Sequence, residues 1–229
     1  MVLRFFLFAA IFLLASCTDF ERNNPDDTGS INYAASLLNY QGETYKTVVI
    51  GSQTWMARNL NYDVPDNNTD VCYNNNPANC NTYGRLYDWT TAMKLPPSCN
   101  TSSCATSISS KHQGICPNGW HIPTDADWEV LMNAVGGETA AIKLKATSGW
   151  NIGNGYIPGT DIYGFSALPG GYGTLTTGFN NAGFSLLLWS SSEYNSSSAY
   201  RRCWDNDIEY VKNDYSPKID LHSVRCVKD

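Results

Sequence analysis

The longest apolar stretch of the chain lies near its start, from Phe5 to Leu14, directly after the positive charge of Arg4. It is shorter than the roughly 20 apolar residues that a membrane-spanning helix needs. Small residues follow it. This order of a charge, an apolar stretch and small residues is typical of a signal peptide that is removed during export. We therefore predict that residues 1–16 are a signal peptide.

The stretch ends in Leu14-Ala15-Ser16-Cys17, which resembles the bacterial lipobox. The resemblance implies cleavage just before Cys17 and a diacylglyceryl group on its sulfur, and two or more acyl chains make such an anchor stable. In enteric lipoproteins an aspartate after the cysteine favours the inner membrane. Thr18 stands there instead, which favours the outer membrane. The alternative is an ordinary signal peptide, with Cys17 as an incidental thiol.

The pattern becomes that of a folded domain at about residue 40. Residues 17–39 hold too few apolar side chains to order themselves, so we predict a lipidated N-terminus and a flexible tether there, followed by one domain over residues 40–229. β-Branched residues are frequent from Tyr45 to Ile50. After the turn Gly51-Ser52-Gln53, a second strand is predicted from Thr54 to Arg58. This pattern predicts a β-hairpin.

The clearest helical pattern begins at Thr124, an N-cap candidate with Asp127 at position N3 of a weak capping box. Gly136-Gly137 should end this helix. Four apolar residues between these signals share one helix face: Trp128, Leu131, Met132 and Val135.

A second main helix is predicted from Tyr83 to Leu95, because Leu86, Trp89 and Met93 have helical spacing and Pro96-Pro97 follow. The remaining chain alternates between loops and short strands, so the pattern as a whole predicts an α+β fold. The other predicted segments are a polar loop over 61–81, a short helix over 138–146, a glycine-rich aromatic loop region over 147–178, and strands over 184–190, 199–204, 208–212 and 221–227.

Composition limits the partners. The 229 residues carry a formal charge of −6, and Lys and Arg form no run. Neutralising phosphates needs a basic patch, so nucleic acid is not an expected partner.

Seven cysteines follow Cys17, and their density in an exported chain predicts disulfides. Cys72 and Cys80 flank a short asparagine-rich loop. Cys99 and Cys104 flank another short loop. Each pair can therefore close at little cost in chain entropy.

Cys116, Cys203 and Cys226 are left, so one of them must stay free or pair outside the chain. We predict that Cys116 pairs with Cys226, which would tie the middle of the chain to its end, and that Cys203 is unpaired. A zinc site is the alternative. It is disfavoured because no pair has CxxC spacing and the three histidines are not arranged as a ligand cluster.

Five segments, in order, resemble one known family. They are Tyr45 to Leu60, Tyr83 to Trp89, Cys116 to Trp128, Trp189 to Glu193 and Ser223 to Val227. The family is the Fibrobacter succinogenes major paralogous domain, and the resemblance covers nearly all of residues 40–229. Its members are typically exported or lipid-anchored, so the resemblance implies a cell-envelope protein.

The block from Cys116 to Trp128 is also similar, more distantly, to C-type lectins and to the formylglycine-generating sulfatase modifiers. This resemblance implies a C-type-lectin-like domain of the α+β class, with two main helices, short antiparallel strands, long loops and stabilising disulfides. In lectin-like domains a cysteine at the position of Cys116 pairs with one in the final strand, which agrees with a partner at Cys226.

Catalytic chemistry is not indicated. No Gly-x-Ser-x-Gly turn is present, and His121, between Trp120 and Ile122, is predicted to be a buried, hydrogen-bonded structural residue. The paired active-site cysteines of a sulfatase modifier are not identifiable. We therefore predict a protein that is not an enzyme and needs no cofactor.

Asp205, Asp207 and Glu209 alternate along the chain and would share one face of a strand, where their three carboxylates could help to hold calcium. The wet face of an antiparallel strand explains the same alternation, so no metal site is predicted.

Sugar recognition needs flat aromatic faces with amides or carboxylates beside them. The aromatic loop region and the later strands could supply both, so they form the candidate ligand site. Its residues are Trp150, Tyr156, Tyr172, Trp189, Glu193, Tyr194, Trp204, Asp205 and Asn206.

The resulting hypothesis is a lipid-anchored, non-catalytic envelope or surface protein that binds a glycan or another surface protein. Two alternatives stay open. One is an envelope structural protein that associates with itself or with envelope partners, for which an unpaired Cys203 offers a crosslinking handle. The other is an enzyme of the sulfatase-modifier type.

Overall fold

A computed structural model of the protein describes residues 36–65, 69–153, 155–174 and 176–229. The predicted signal peptide, Cys17 and most of the predicted tether lie outside these residues. The first strand begins at Ser36, so four residues assigned to the tether by sequence are part of the fold.

The described residues form a mixed α/β fold with few helices. Its strands are β1 (Ser36–Tyr40), β2 (Glu43–Ile50), β3 (Gln53–Met56), β4 (Asp70–Val71), β5 (Leu86–Tyr87), β6 (Trp120–His121), β7 (Tyr172–Thr174), β8 (Gly178–Asn180), β9 (Ser185–Glu193), β10 (Ser198–Asp205), β11 (Lys212–Pro217) and β12 (Val227–Lys228). Its α-helices are α1 (Pro77–Tyr83), α2 (Trp89–Met93) and α3 (Asp125–Ala134). Its 3₁₀ turns are Tyr73–Asn75, Pro97–Asn100, Ala105–Ser107 and Glu138–Lys143.

Two antiparallel sheets form the framework. The larger has the strand order β1-β2-β3-β12-β6, so the last strand of the chain lies between two early ones. The smaller has the order β11-β10-β9. β4 pairs with β5, and β7 pairs with β8. None of the helices in the described ranges is long and apolar enough to cross a membrane.

The predicted hairpin is confirmed as β2 and β3, which pair antiparallel. Gly51 at its turn has a φ of +60°, and a Cβ there would stand 2.7 Å from the Cβ of Ala134 at the end of α3. Glycine therefore permits both the turn and the close packing of the hairpin on α3. On the other side, β1 pairs with β2, and only two of its five side chains, Leu38 and Tyr40, pack against the core. So short an apolar pattern does not stand out from the polar segment before it, which explains why composition did not reveal β1.

The predicted helix at Thr124 is also confirmed. Thr124 accepts a hydrogen bond from the backbone N–H of Asp127, and the Asp127 carboxylate accepts one from the N–H of Thr124, which completes the capping box. Trp128, Leu131 and Met132 are buried along one face of α3. The local signals were sufficient because each acts within one or two helical turns.

The predicted helix from Tyr83 to Leu95 is wrong in extent. Gly84, with a φ of +78°, ends α1, and an extended β5 follows before α2 begins. Asp88 caps α2 by accepting from the N–H of Thr91, and Lys94 ends it in the left-handed conformation. Leu86 lies in β5, whereas Trp89 and Met93 lie in α2, and all three side chains are buried. Their helical spacing thus comes from two different elements.

Three further segments differ from their predictions. The polar loop over 61–81 contains β4 and most of α1, which Asn76 caps with Pro77 at its first position. The strand predicted over 208–212 is a turn, and the strand β11 starts where it was expected to end. The short helix over 138–146 is a 3₁₀ turn at Glu138–Lys143.

Two clusters of buried side chains make up the core. The first lies between the hairpin, α3 and the smaller sheet, where the Trp55 and Trp128 rings are 4.6 Å apart and Trp204 meets Trp128 edge to face at 6.0 Å. The second surrounds α2 and contains Trp89 and Trp189. The aromatic residues of the sequence are thus concentrated in the interior.

All three predicted disulfides are present. Cys72 bonds to Cys80, Cys99 to Cys104, and Cys116 to Cys226. The third closes a sequence separation of 110 residues, next to the pairing of β6 with β12. Cys203 is free and buried, so it is not an accessible crosslinking handle.

Candidate functional site

The predicted aromatic platform does not exist as an exposed surface. Trp189 and Trp204 are 0% exposed and Trp150 is 5% exposed. Their indole N–H groups do not mark a surface site either, because those of Trp150 and Trp189 donate to the backbone carbonyls of Ala167 and Tyr87. The assignment of these three tryptophans to a ligand site is corrected: they are core residues.

Two polar residues of the predicted site have structural partners. Glu193 accepts hydrogen bonds from the N–H of Cys104 at 2.9 Å and from Nζ of Lys218 at 2.6 Å. It therefore joins the second disulfide loop to the smaller sheet. The Asn206 side chain is buried and donates to the carbonyl of Asn151. Neither side chain is available to a ligand.

Lys145 stabilises the region that was considered for calcium. Its side chain is buried, and Nζ donates to the carbonyls of Ile157, Asp205 and Asn206 at 3.0, 2.9 and 3.2 Å. It also lies 4.5 Å from the Trp150 ring centroid. An ammonium group thus joins the long loop to the end of β10.

The three carboxylates considered for calcium do not share a strand face. Asp205 ends β10, whereas Asp207 and Glu209 lie in the turn that follows. Among the described residues, no group of three or more His, Cys, Asp or Glu side chains is placed to hold a metal ion.

Two predicted site residues, Tyr172 and Asp205, do meet, in a pocket of about 380 Å³ that we call the sheet pocket. It lies on the face of the smaller sheet that points away from Trp204. Strand alternation supplies its floor: Arg201, Cys203 and Asp205 from β10, and Lys212, Asp214 and Ser216 from β11. Its remaining residues are Tyr172, Thr174, Asn181, Ser185, Leu187 and Asp220.

Two ion pairs organise the floor of the sheet pocket. Nζ of Lys212 lies 2.7 Å from Oδ2 of Asp205, and Nη2 of Arg201 lies 3.0 Å from Oδ2 of Asp214. Burial alone would raise the pKa of Asp205, but its hydrogen bonds from Lys212 and Ser185 hold it below its usual value. The same bond to Asp205 raises the pKa of Lys212. Both groups therefore stay charged at neutral pH.

Asp220 differs from its neighbours in the sheet pocket. Its carboxylate forms no hydrogen bond or ion pair with any described residue, although it feels the charge of Arg201. Burial raises the pKa of Asp220 to about 6, and the charge of Arg201 offsets this only in part. A half-buried carboxylate without a partner is costly to ionise, and such groups are concentrated at functional sites.

Cys203 lines the same pocket, but its thiol is unreactive. Burial, together with the nearby Asp205 carboxylate, raises the pKa of its thiol to about 12. The thiolate is the reactive form of cysteine, so this side chain is protonated and unreactive at neutral pH.

Sequence reasoning missed the residues that charge the sheet pocket, namely Arg201, Lys212, Asp214 and Asp220. A signal was present in β10, where Arg201, Cys203 and Asp205 alternate with buried Arg202 and Trp204. Such alternation shows that a strand has two distinct faces. It does not show which face is covered by other elements.

Tyr156 and Tyr194 lie away from the sheet pocket. Tyr156 is half-buried beside Lys145. Tyr194 is 45% exposed and stacks on Tyr215, with ring centroids 3.8 Å apart and an interplanar angle of 5°. Tyr200 meets Tyr194 edge to face at 5.4 Å. Tyr194, Tyr200 and Tyr215 form what we call the tyrosine cluster.

His121 has the buried, hydrogen-bonded role that was predicted for it. Its Nδ1 lies 2.7 Å from Oδ1 of Asp229 and its Nε2 lies 3.2 Å from Oδ2 of Asp127, the N3 residue of the capping box of α3. Burial alone would lower the pKa of His121, but these two carboxylates together raise it. The imidazole thus links the end of the chain to the start of α3.

Comparison with known proteins identifies the family of the domain. No curated protein and no solved structure matches the chain. The family model described as the Fibrobacter succinogenes major domain matches residues 48–228, from within β2, the first strand of the hairpin, to β12. The match covers more than half of the chain, so the chain belongs to the Fibrobacter succinogenes major domain family.

Proposed function

We propose that the protein is a lipid-anchored, non-catalytic binding module of the cell envelope that holds a glycan in the sheet pocket. The observation that carries this proposal is the composition of the pocket. It combines one half-exposed aromatic ring, Tyr172, with carboxylates, a guanidinium, hydroxyls and an amide in about 380 Å³. Ligand pockets typically measure about 300–1,000 Å³.

The chemistry of the sheet pocket favours a sugar. A sugar ring presents a C–H face that packs on an aromatic ring and an edge of hydroxyls that both donate and accept hydrogen bonds. Tyr172 supplies the ring, and its edge meets His222 at 6.0 Å, which helps to fix its orientation. Thr174, Asn181 and Ser216 supply neutral polar groups around it.

A non-catalytic role is supported by the state of the groups that could react. Six of the cysteines in the described part of the chain are in disulfides, and Cys203 is buried with a raised pKa. A sulfatase-modifier enzyme would need a redox-active thiol pair. His121 is bound by two carboxylates, and burial holds the pKa of His222 well below its usual value.

A C-type-lectin-like architecture belongs to the same proposal. Support comes from the Cys116–Cys226 disulfide, which joins a cysteine before the Trp120-His121 element to one beside the final strand. Further support comes from the long loop over 147–171, which leads into the strand β7 that borders the sheet pocket.

The anchor is proposed at Cys17, with the outer membrane as its site and exposure at the cell surface. The support is the sequence alone: the apolar stretch from Phe5 to Leu14 and the lipobox-like Leu14-Ala15-Ser16-Cys17. We expect that cells fed with labelled palmitate label the wild-type chain, and that Cys17→Ser abolishes the label. Equal labelling of this variant would contradict the anchor. Recovery of the unlabelled Cys17→Ser variant in the membrane fraction would also contradict the anchor.

The glycan site makes its own prediction. Full-length protein extracted in mild detergent is expected to be retained on an insoluble polysaccharide and to bind members of a glycan array. Tyr172→Ala should weaken this binding by up to about tenfold, because packing on an aromatic ring contributes roughly 0.5–1.5 kcal/mol beyond the area that it buries. Tyr194→Ala is the matched control, since it removes an exposed tyrosine outside the pocket. Thermal melts verify that both variants are folded.

A second candidate function is self-association, which the exposed tyrosine cluster favours. Exposed aromatic patches often mark interfaces between proteins. Self-association predicts different results for crosslinking and for the binding measurements above. Crosslinked dimers would form on intact cells and be lost in Tyr194→Ala, whereas no glycan would bind and Tyr172→Ala would be without effect.

A further inference from the structure

We propose that the sheet pocket takes one neutral sugar unit of a glycan and holds a pair of adjacent sugar hydroxyls between the guanidinium of Arg201 and the carboxylate of Asp220. This inference rests on the proposed glycan-binding function and names the chemistry of its ligand.

The sheet pocket contains an unused donor. The Arg201 guanidinium donates from Nε to Oγ of Ser216 at 2.7 Å and from Nη2 to Oδ2 of Asp214 at 3.0 Å. Its Nη1 is buried and has no hydrogen-bond partner. The great majority of buried polar atoms in folded proteins do have partners, so an exception calls for an explanation such as a missing ligand.

The sheet pocket also contains an unused acceptor, the carboxylate of Asp220, which has no hydrogen-bond donor among the described residues. A sugar hydroxyl can accept a hydrogen bond from Arg201, and its neighbour on the ring can donate one to Asp220. Hydrogen bonds to charged groups are about twice as strong as neutral ones, so a diol gains from both.

Ligands that carry a charge fit less well. An ammonium group could pair with Asp220 but has no acceptor for Nη1 of Arg201. A carboxylate or phosphate would satisfy Arg201 but would face three carboxylates, those of Asp205, Asp214 and Asp220. The two cations that line the pocket are already paired, Lys212 with Asp205 and Arg201 with Asp214. Of these ligand classes, the neutral diol satisfies both unused groups.

Size indicates how much of a glycan enters. The volume of about 380 Å³ is near the lower end of the range for small-molecule sites. A sugar ring packed on Tyr172 fits within such a space. The sheet pocket is therefore large enough for one sugar unit of a glycan.

The ionisation of Asp220 provides a test within the pocket. Lowering the pH from 7.5 to 5 should protonate Asp220, since burial raises its pKa to about 6. The other groups at or beside the sheet pocket whose pKa values are displaced keep their charge states over this range: Asp205 has a lowered pKa, Lys212 a raised pKa, and His222 a strongly lowered pKa. The charged and titratable groups around Asp220 are Arg201 and Asp205 of β10, Lys212 and Asp214 of β11, Tyr172 of β7, and His222.

The experiment uses the full-length, detergent-extracted protein and simple soluble probes. These are the methyl glycosides of glucose, galactose and mannose, with glucosamine and glucuronate as charged counterparts. Binding is measured by titration calorimetry and by saturation-transfer NMR at pH 7.5 and pH 5. We expect at least one neutral glycoside to bind at pH 7.5 more tightly than either charged sugar. Its affinity should fall about tenfold at pH 5.

Asp220→Asn is expected to weaken the same binding about tenfold at pH 7.5 and to remove its dependence on pH. The variant should also melt at a higher temperature than the wild type at pH 7.5, because it removes a half-buried carboxylate without a partner. A group kept for folding alone would not combine these two effects. Asp207→Asn, an exposed carboxylate outside the pocket, should change neither binding nor melting.

Several outcomes would overturn the inference. These are tighter binding of glucosamine or glucuronate, no binding of any of the three glycosides, or unchanged binding in Asp220→Asn. Failure of the inference can be told apart from failure of the proposed function. If polysaccharide retention depends on Tyr172 but not on Asp220 or on pH, the protein binds a glycan but does not hold a diol between Arg201 and Asp220. If retention depends on neither Tyr172 nor Asp220, the sheet pocket is not the binding site.

Discussion

Replacing both Cys116 and Cys226 with alanine is expected to lower the free energy of unfolding by about 5 kcal/mol. The bond closes a separation of 110 residues, and in the chain-entropy model the stabilisation grows with the length of the closed loop. Removing it frees the unfolded chain far more than it disturbs the native contacts. A loss of this size is a large share of the roughly 5–15 kcal/mol that stabilises a typical domain. Urea denaturation followed by tryptophan fluorescence measures it.

Cys99→Ala with Cys104→Ala is the matched control for this prediction. That disulfide closes a separation of only 5 residues, for which the same model gives about 2 kcal/mol. If the two double variants lost equal stability, loop length would not be the source of the effect. The pairing of β6 with β12 beside Cys116–Cys226 would then be holding the end of the chain by itself.

Arg225→Met is expected to lower the free energy of unfolding by about 3 kcal/mol or more, because it leaves several buried acceptors without a donor. Arg225 is 1% exposed. It donates to Oδ1 of Asn59 from Nη2 at 2.8 Å and from Nε at 3.1 Å, and it also donates to the carbonyl of Phe165. Its guanidinium lies 4.2 Å from the Phe165 ring centroid. The side chain therefore connects the loop before β7 to the segment after β3.

Thermal and urea unfolding measure the Arg225 effect. The control is Arg58→Met, which removes a partly exposed ion pair with Glu43. Pairs of that kind contribute about 0–1 kcal/mol. Similar losses in the two variants would mean that the buried acceptors around Arg225 find water or other donors when it is removed.

Elements with local signals were predictable from sequence. α3 carries its own capping box, and the hairpin of β2 and β3 carries its own turn. The disulfides were predictable for a related reason. Two of them close short loops, which leaves three cysteines for the third, and the lectin-like resemblance favoured Cys116 and Cys226 among these. In each case the deciding interactions lie within a few residues, or are limited by a small number of possible partners.

Other elements depended on neighbours that the sequence does not show. β1 exists because β2 offers a free edge, although the side chains of β1 are mostly exposed. The segment of Leu86, Trp89 and Met93 looks helical because all three side chains are buried, yet it is divided between β5 and α2. Burial imposes the same apolar pattern on different backbone conformations.

The candidate site shows the same limit. Trp150, Trp189 and Trp204 have the chemistry of a sugar platform, but packing against α2, α3 and the loops places them inside. Tyr172 and Asp205 were chosen by the same reasoning and do line the sheet pocket. Residue type alone did not separate the two groups, because aromatic side chains serve cores and binding sites equally well.

The sequence by itself determined the family, the mixed α/β class, the capped helix and the cysteine pairs. These follow from order along the chain, from local capping and from the small number of cysteines. Only the tertiary structure decided which aromatic residues are buried, which face of β10 lies over the core, and that Arg201 and Asp220 share one pocket without a partner for Nη1 or for the carboxylate. These depend on contacts between residues far apart in sequence, and no local pattern specifies such contacts.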